Sequence, residues 1–106
     1  MHQALVLTLK EGALEEYIRH HDSIPSSHPD LVEAFHSSGV KAMRIFVDGD
    51  RLVLCLEADD DQAMQRLWAT EAHQRWSELM EPLIALGPDG VPMSNFLTQV
   101  YEFDGG

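Results

Sequence analysis

The apolar residues of the chain follow two periods, and each period predicts one kind of element. Short runs rich in aliphatic and aromatic residues, bounded by Gly, Asp or Pro, predict β-strands. Asp48-Gly49, between the second and third runs, predicts a tight hairpin turn because both residue types tolerate positive φ. The four predicted strands are residues 4–10, 41–47, 51–57 and 96–103.

In the segments between these strands, the apolar residues have the spacing of a helix. In residues 13–21 the apolar and aromatic side chains fall at i, i+3, i+4 and i+7, as on one face of a helix. Residues 71–84 show the same spacing and predict a strongly amphipathic helix. Two prolines interrupt the pattern in residues 23–30, after which a helix restarts and can end at Gly39. The predicted helices are residues 13–21, 31–38, 58–68 and 71–84, and residues 86–95 are expected to form a loop.

The order strand, helical segment, strand, strand, helical segment, strand predicts an α+β fold. Antiparallel strands that carry both helical segments on one face form a ferredoxin-like sandwich with a four-stranded antiparallel sheet. The other face of such a sheet stays uncovered, which favours sheet-to-sheet dimerisation. With 106 residues and 44% hydrophobic content, the chain is expected to be a single domain, residues 1–106.

The net charge of the chain indicates which classes of partner it can bind. Eighteen acidic against seven basic residues give a formal charge of −11, which repels nucleic acid and anionic membrane surfaces and favours a neutral ligand. The opening segment MHQALVLTLKEG has no basic region, and its apolar run is too short for a signal peptide or a membrane span. We therefore expect a soluble, cytoplasmic protein that binds neither nucleic acid nor membrane.

Tyr17 and His21 are the first candidates for chemistry. Positions four apart on a helix are neighbours, so these two side chains share a face, whereas His20 belongs to another. A partly buried neutral imidazole is suited to exchange protons near pH 7. The alternative is a core histidine bonded to a backbone carbonyl, with the Tyr17 hydroxyl at the rim.

Trp76 begins the apolar stripe of the last predicted helix. It can serve as a stacking platform for the C–H face of a sugar, or it can simply pack in the core, as Trp68 is expected to do. Cys55 lies within an apolar strand and is expected to be an inert buried thiol. The six histidines form no metal-binding motif, and phosphate loops and nucleophile elbows are absent, so we predict no metal site and expect neither acyl transfer nor nucleotide chemistry.

Six short motifs occur in an order and spacing that resemble the L-rhamnose mutarotase family over nearly the whole chain. They are EEYIRHH, HPDL, MRIFVDGDRLVLCLE, QRWSELM, GPDGVP and LTQVYEFD. That family consists of small ferredoxin-like homodimers of the dimeric α+β barrel type, which interconvert the α and β anomers of a pyranose without a cofactor. The resemblance implies an isomerase that acts on a neutral 6-deoxy monosaccharide, with L-rhamnose as the expected substrate.

The resemblance also implies roles for particular residues. The histidine general acid of the family falls on His21, and its helical, sugar-binding tyrosine falls on Tyr17. The first tryptophan of the family's Arg-Trp-Trp falls on Trp76, which is expected to stack on the sugar. His21 is therefore the predicted catalytic residue.

Three positions depart from the family pattern. His28 stands where the family has the tryptophan of Trp-Pro-Glu-Leu, and Ser77 replaces the second tryptophan of Arg-Trp-Trp. Met43 replaces a sugar-binding tyrosine, as in relatives that resemble fucose-type mutarotases. We expect all three to be substrate-binding: Met43 beside the C5-methyl group of the sugar, and His28 as a second ionisable group in the pocket.

Several alternatives remain open from the sequence. The preferred sugar is L-rhamnose, L-fucose or another neutral aldose. The same fold also hosts cofactor-free monooxygenase-like proteins, which an apolar pocket would favour. A third possibility is a dimeric sugar-binding module that has lost turnover with its aromatic walls.

Overall fold

The structure is a computed structural model that describes all 106 residues. Its centre is one four-stranded antiparallel sheet in the order β2-β3-β1-β4, with helices between the strands, and the predicted ferredoxin-like fold is confirmed. The strands are β1 (His2–Thr8), β2 (Val40–Asp48), β3 (Arg51–Ala58) and β4 (Ser94–Phe96). The helices are α1 (Leu14–Asp22), α2 (Ile24–Ser27), α3 (Pro29–Ser38), α4 (Ala63–Trp68) and α5 (Glu71–Met80), and a 3₁₀ turn follows at Glu81–Leu83.

The proline-containing segment forms more helix than the sequence suggested. Residues 24–27 fold into the short helix α2, and α3 begins at Pro29 rather than at Leu31. Proline suits the first position of a helix, because the N–H that it lacks would have no partner inside the helix there. Gly39 ends α3 with φ 92° in the left-handed region, so the predicted cap is confirmed.

The helix predicted from residue 58 begins five residues later, at Ala63. Ala58 is the last residue of β3, where it lies opposite Val40 and its N–H donates to the carbonyl of Met1. The N–H of Asp59 donates to the Gly39 carbonyl, which continues the extended chain. Sheet pairing therefore holds the backbone that the sequence assigned to a first helical turn.

The hairpin between β2 and β3 is confirmed, with its turn displaced by one residue. Asp48 pairs with Arg51, so the two turn residues are Gly49 and Asp50. Only Gly49 has a positive φ, 65°. A positive φ at the first turn position alone is the pattern of a type II′ turn, which matches the twist of the strands and requires glycine there.

The two faces of the sheet differ in cover. On β3, Leu52, Leu54 and Leu56 are buried beneath the helices, whereas Cys55 points the other way and is exposed. The prediction of a buried thiol at Cys55 is wrong, because successive residues of a strand face opposite sides and the helices cover only one. Trp68 is partly buried and packs against the core, as expected.

The last predicted strand, residues 96–103, is wrong in extent. Strand β4 ends at Phe96, and the N–H of Leu97 adds one further bond to the Ala4 carbonyl. The register that sets Leu5 opposite Phe96 would set residue 100 opposite Met1, so the chain leaves the sheet before β1 ends. Three of the apolar side chains that follow are largely exposed: Val100 (92%), Tyr101 (78%) and Phe103 (79%).

None of the helices has the length and apolar character needed to cross a bilayer.

Candidate active site

Helix α1 brings Tyr17 and His21 together. They lie one turn apart, their ring centroids are 4.1 Å apart and their planes are inclined by 34°. The predicted shared face is confirmed. Tyr17 is buried at 5% exposure, and His21 is partly buried beside it. The acids Glu15 and Glu16 lie in the first turn of α1, where they suit the positive end of the helix dipole.

A backbone hydrogen bond fixes the protonation pattern of His21. Its Nδ1 lies 2.8 Å from the carbonyl oxygen of Tyr17. Because a carbonyl oxygen can only accept, Nδ1 carries the hydrogen and donates, which leaves the lone pair of the neutral ring on Nε2. Burial lowers the pKa of His21 below its usual value, against a smaller opposing effect of this hydrogen bond. The site thus contains a neutral imidazole whose only basic atom is Nε2.

The Tyr17 hydroxyl is a protonated donor. Burial raises the pKa of Tyr17 to about 12, so the phenol keeps its proton across the physiological range. The hydroxyl makes no hydrogen bond within the chain, and it is not among the fully buried polar atoms without a partner, of which Oε1 of Gln3 is the only one. The hydroxyl therefore has a hydrogen-bond donor that no group of the chain uses.

Trp76 connects α1 to the start of α3. Thr70 caps the start of α5, where its hydroxyl accepts the N–H of His73, and the helix presents Trp76 on its buried face. The indole meets His21 edge to face at a centroid distance of 5.0 Å, and it meets His28 in the same manner at 5.2 Å. Tyr17, His21, His28 and Trp76 are called the aromatic cluster below.

His28 reaches this cluster because of the break between α2 and α3. It occupies the N-cap position of α3 with φ −135° and ψ 58°, outside the helical region, so the chain changes direction there. Its N–H donates to the carbonyl of Ile24, and its own carbonyl accepts the N–H of Leu31. The two helix ends thus hold the His28 backbone and direct its ring towards Trp76.

Met43 and Ser77 are not part of the aromatic cluster. Met43 is on the helix-facing side of β2, opposite Leu56, and packs partly buried against the core. Ser77 is exposed on α5, about 100° around the helix from Trp76, and its hydroxyl lies 3.2 Å from Nδ1 of His73. Met43 therefore faces the layer that contains the cluster, and the nearest polar partner of Ser77 is His73.

Sequence reasoning missed one polar network beside the cluster. Arg75 of α5 donates to the Asp30 carboxylate at the start of α3, and its other nitrogen lies 3.4 Å from Glu71. The Arg75 guanidinium lowers the pKa of Asp30. The i, i+4 spacing of Glu71 and Arg75 was visible in the sequence, but the contact with Asp30 spans 45 residues and has no local signal. No group of three or more His, Cys, Asp or Glu side chains comes together as a metal site would require.

Known proteins that are similar to this chain share one family description. A family model described as L-rhamnose mutarotase matches residues 2–103. An L-rhamnose mutarotase of Burkholderia cenocepacia is 32% identical over 103 residues, which are 95% of this chain and 96% of that relative. An L-rhamnose mutarotase of Bacillus subtilis is 31% identical over 104 residues, which are 96% of this chain and 97% of that relative.

Solved structures support the fold. A crystal structure of an L-rhamnose mutarotase from Formosa agariphila has a TM-score of 0.79 at 24% identity and covers 98% of this chain and 99% of its own. An antibiotic biosynthesis monooxygenase has a TM-score of 0.60 at 19% identity, with 95% and 100% coverage. Tetracenomycin F2 cyclase from Streptomyces glaucescens has a TM-score of 0.64 at 18% identity, with 100% and 99% coverage. At these identities the structures establish a shared architecture and no shared chemistry.

Proposed function

This chain belongs to the L-rhamnose mutarotase family, and we propose that it is an isomerase that interconverts the α and β anomers of L-rhamnose, with His21 as the group that moves the proton. The resemblance to this family is confirmed by the family match and by relatives that align over almost the whole chain. The mechanism rests on one observation above all. The bond from Nδ1 of His21 to the Tyr17 carbonyl leaves Nε2 as the basic atom.

Mutarotation opens the pyranose ring and closes it on the other face. The anomeric hydroxyl loses a proton as C1=O forms, the bond from C1 to the ring oxygen breaks, and the ring oxygen gains a proton. Rotation about the C1–C2 bond then presents the other face of the carbonyl. The reaction therefore needs one base and one acid, and both can be ordinary side chains.

In the proposed mechanism, Nε2 of His21 accepts the proton of the anomeric hydroxyl. The Tyr17 hydroxyl, which is protonated at rest because its pKa is about 12, orients the sugar and transfers its proton to the ring oxygen as the bond from C1 breaks, which leaves a phenolate beside the His21 imidazolium. During ring closure the roles reverse: the attacking hydroxyl returns its proton to the Tyr17 phenolate, and the His21 imidazolium returns its proton to the carbonyl oxygen, which is the acid role that the family resemblance implies. This order of proton transfers requires a neutral His21 imidazole before the reaction begins, and burial favours that neutral state.

The remaining predicted contacts concern recognition. We expect Trp76 to stack on the C–H face of the sugar and His28 to bind a sugar hydroxyl from the same wall. We expect Met43 to contact the C5-methyl group from the sheet side. Ser77 is a proposed contact for an outer hydroxyl, and it would have to release its bond to His73.

We also propose that the protein works as a cytoplasmic homodimer that forms through the open face of the sheet. Phe46 of β2 points to that face at 57% exposure, beside the exposed Cys55 of β3. The apolar end of the chain, residues 97–103, offers further surface for a second copy. Exposed apolar area of this kind is typical of an interface.

The proposed activity can be tested by proton NMR saturation transfer between the anomeric signals of L-rhamnose, with L-fucose as the second sugar because Met43 replaces an aromatic residue of the family. We expect the protein to accelerate exchange for L-rhamnose more than for L-fucose. Faster exchange for L-fucose would reassign the substrate. Shifts of protein signals on adding sugar, without any faster exchange, would instead favour a binding module.

A further inference from the structure

The ion pair between Asp30 and Arg75, called the clamp below, joins residues that are close in sequence to His28 and Trp76. Asp30 is two residues after His28, and Arg75 immediately precedes Trp76. Nη2 of Arg75 donates to Oδ2 of Asp30 across the gap between α3 and α5. No other ion pair in the protein joins these two helices. The clamp and the aromatic contact therefore close the same gap.

Each end of the clamp is held by its own helix. Oδ1 of Asp30 accepts the N–H of Leu31 at 3.0 Å, a donor that it shares with the His28 carbonyl in the first turn of α3. Arg75 is held on its other side by Glu71, one turn earlier in α5. A planar guanidinium between two carboxylates has a defined orientation, which a flexible ammonium group would lack. The clamp thus fixes the position of α3 relative to α5.

We propose that Asp30 and Arg75 are positioning residues, which fix the distance and angle between His28 and Trp76 and thereby set the sugar-binding wall. This inference rests on the proposed function only in assigning that wall to sugar. The two side chains are about half exposed, 49% and 57%, and such pairs contribute little to stability. Their effect is therefore expected in geometry rather than in folding.

His21 does not depend on the clamp. Its ring is held by the Tyr17 carbonyl, within α1 alone. Loss of the clamp should therefore weaken sugar binding, which raises KM, while it leaves proton transfer and kcat nearly unchanged. A residue with a merely structural role would lower the active fraction and with it kcat, without this split.

The experiment compares Asp30→Asn with Asp60→Asn. Asparagine keeps an oxygen for the Leu31 N–H but removes the charge that binds Arg75. Asp60 is a matched control, because its carboxylate also accepts a backbone N–H, that of Gln62, and also binds an arginine, Arg66 at 2.9 Å. For L-rhamnose we expect up to about a fivefold rise in KM with kcat within about twofold for Asp30→Asn, and no change for Asp60→Asn, since fivefold is the affinity equivalent of the roughly 1 kcal/mol that a half-exposed ion pair contributes at most.

A second readout does not depend on activity. The chain has two tryptophans, so its indole N–H signals in a proton–nitrogen correlation spectrum are those of Trp76 and Trp68. Asp30→Asn should move the Trp76 signal and leave that of Trp68 in place. Arg75→Gln serves as the second variant, and the double variant should show no larger rise in KM than either single change, because the two residues act as one unit.

An unmoved Trp76 signal, or an unchanged KM in a protein that accelerates anomer exchange, would overturn the clamp. If the wild-type protein accelerates no exchange, the proposed function fails, and the Trp76 signal of the free protein still decides whether the clamp positions the indole.

Discussion

The two faces of the sheet are built from the same strands and differ in what completes them. On the helix-covered face, Leu54 and its neighbours are buried, and the aromatic cluster around Trp76 is assembled within one chain. On the open face, Phe46 and Cys55 are exposed. The run RLVLCLE is apolar at nearly every position, which is typical of a strand covered on both sides.

This difference assigns the proposed reaction to the helix-covered face of the sheet and the proposed dimer contact to the open face. All members of the aromatic cluster come from α1, α3 and α5 and their junctions, so a single chain already contains the proposed proton-transfer group. The open face and residues 97–103 expose apolar side chains that nothing in the same chain covers. Substitutions on the helical side should therefore change the reaction, and substitutions on the open side should change the oligomeric state.

The largest effect is expected at His21. Replacing His21 with Asn removes the basic nitrogen and should lower the rate of anomer exchange about a hundredfold or more, the usual scale for a positioned acid or base. His20→Asn is the matched control, because its ring lies on another face of α1, 3.8 Å from Glu16. Its rate should stay within about twofold of wild type. Polarimetry of freshly dissolved L-rhamnose measures both, and a loss under threefold for His21→Asn would remove His21 from the mechanism.

The next effect concerns the open face. Phe46→Glu places a charge in the proposed interface, where desolvation is unfavourable, and should weaken dimerisation at least tenfold. Val47→Glu is the control on the same strand, since Val47 points to the opposite face at 45% exposure. Light scattering should give twice the chain mass of 11.9 kDa for the wild type and for Val47→Glu, and a smaller mass for Phe46→Glu. A wild-type monomer at micromolar concentration would contradict the proposed dimer.

A smaller effect concerns stability against pH. Burial lowers the pKa of His21 and of His73, so below about pH 6.5 the unfolded chain binds protons that the folded protein does not. The free energy of unfolding should therefore fall as the pH drops from 7.5 towards 5. Asp30 and Asp60, whose pKa values are lowered by their arginine partners, add losses only at more acidic pH.

Urea unfolding at one fixed protein concentration measures this dependence. The double variant His21→Asn, His73→Asn should show a flatter profile between pH 7.5 and 5. An equally steep profile in that variant would assign the dependence to other groups.

Local patterns predicted what local forces decide. The shared face of Tyr17 and His21 follows from 3.6 residues per turn, and the end of α3 at Gly39 follows from a conformation that glycine favours. The β2–β3 hairpin was equally visible, because its two runs flank a turn that contains glycine.

The parts that the sequence did not predict depend on partners distant along the chain. The orientation of Cys55 depends on which face the helices cover, and the position of β4 depends on where the last segment of the chain meets β1. The contact of Trp76 with His28, and that of Arg75 with Asp30, each join segments more than forty residues apart. No periodicity encodes such pairs, so they appear only in the folded chain.

The most direct test of the central claim is a long-range proton–nitrogen NMR spectrum of the histidine rings at pH 7, recorded without and with L-rhamnose. We expect His21 to be neutral, with its proton on Nδ1, and its Nε2 signal to move when the sugar binds. A His21 ring protonated on Nε2, or an Nε2 signal unaffected by saturating sugar, would contradict the assignment of Nε2 as the atom that takes the anomeric proton.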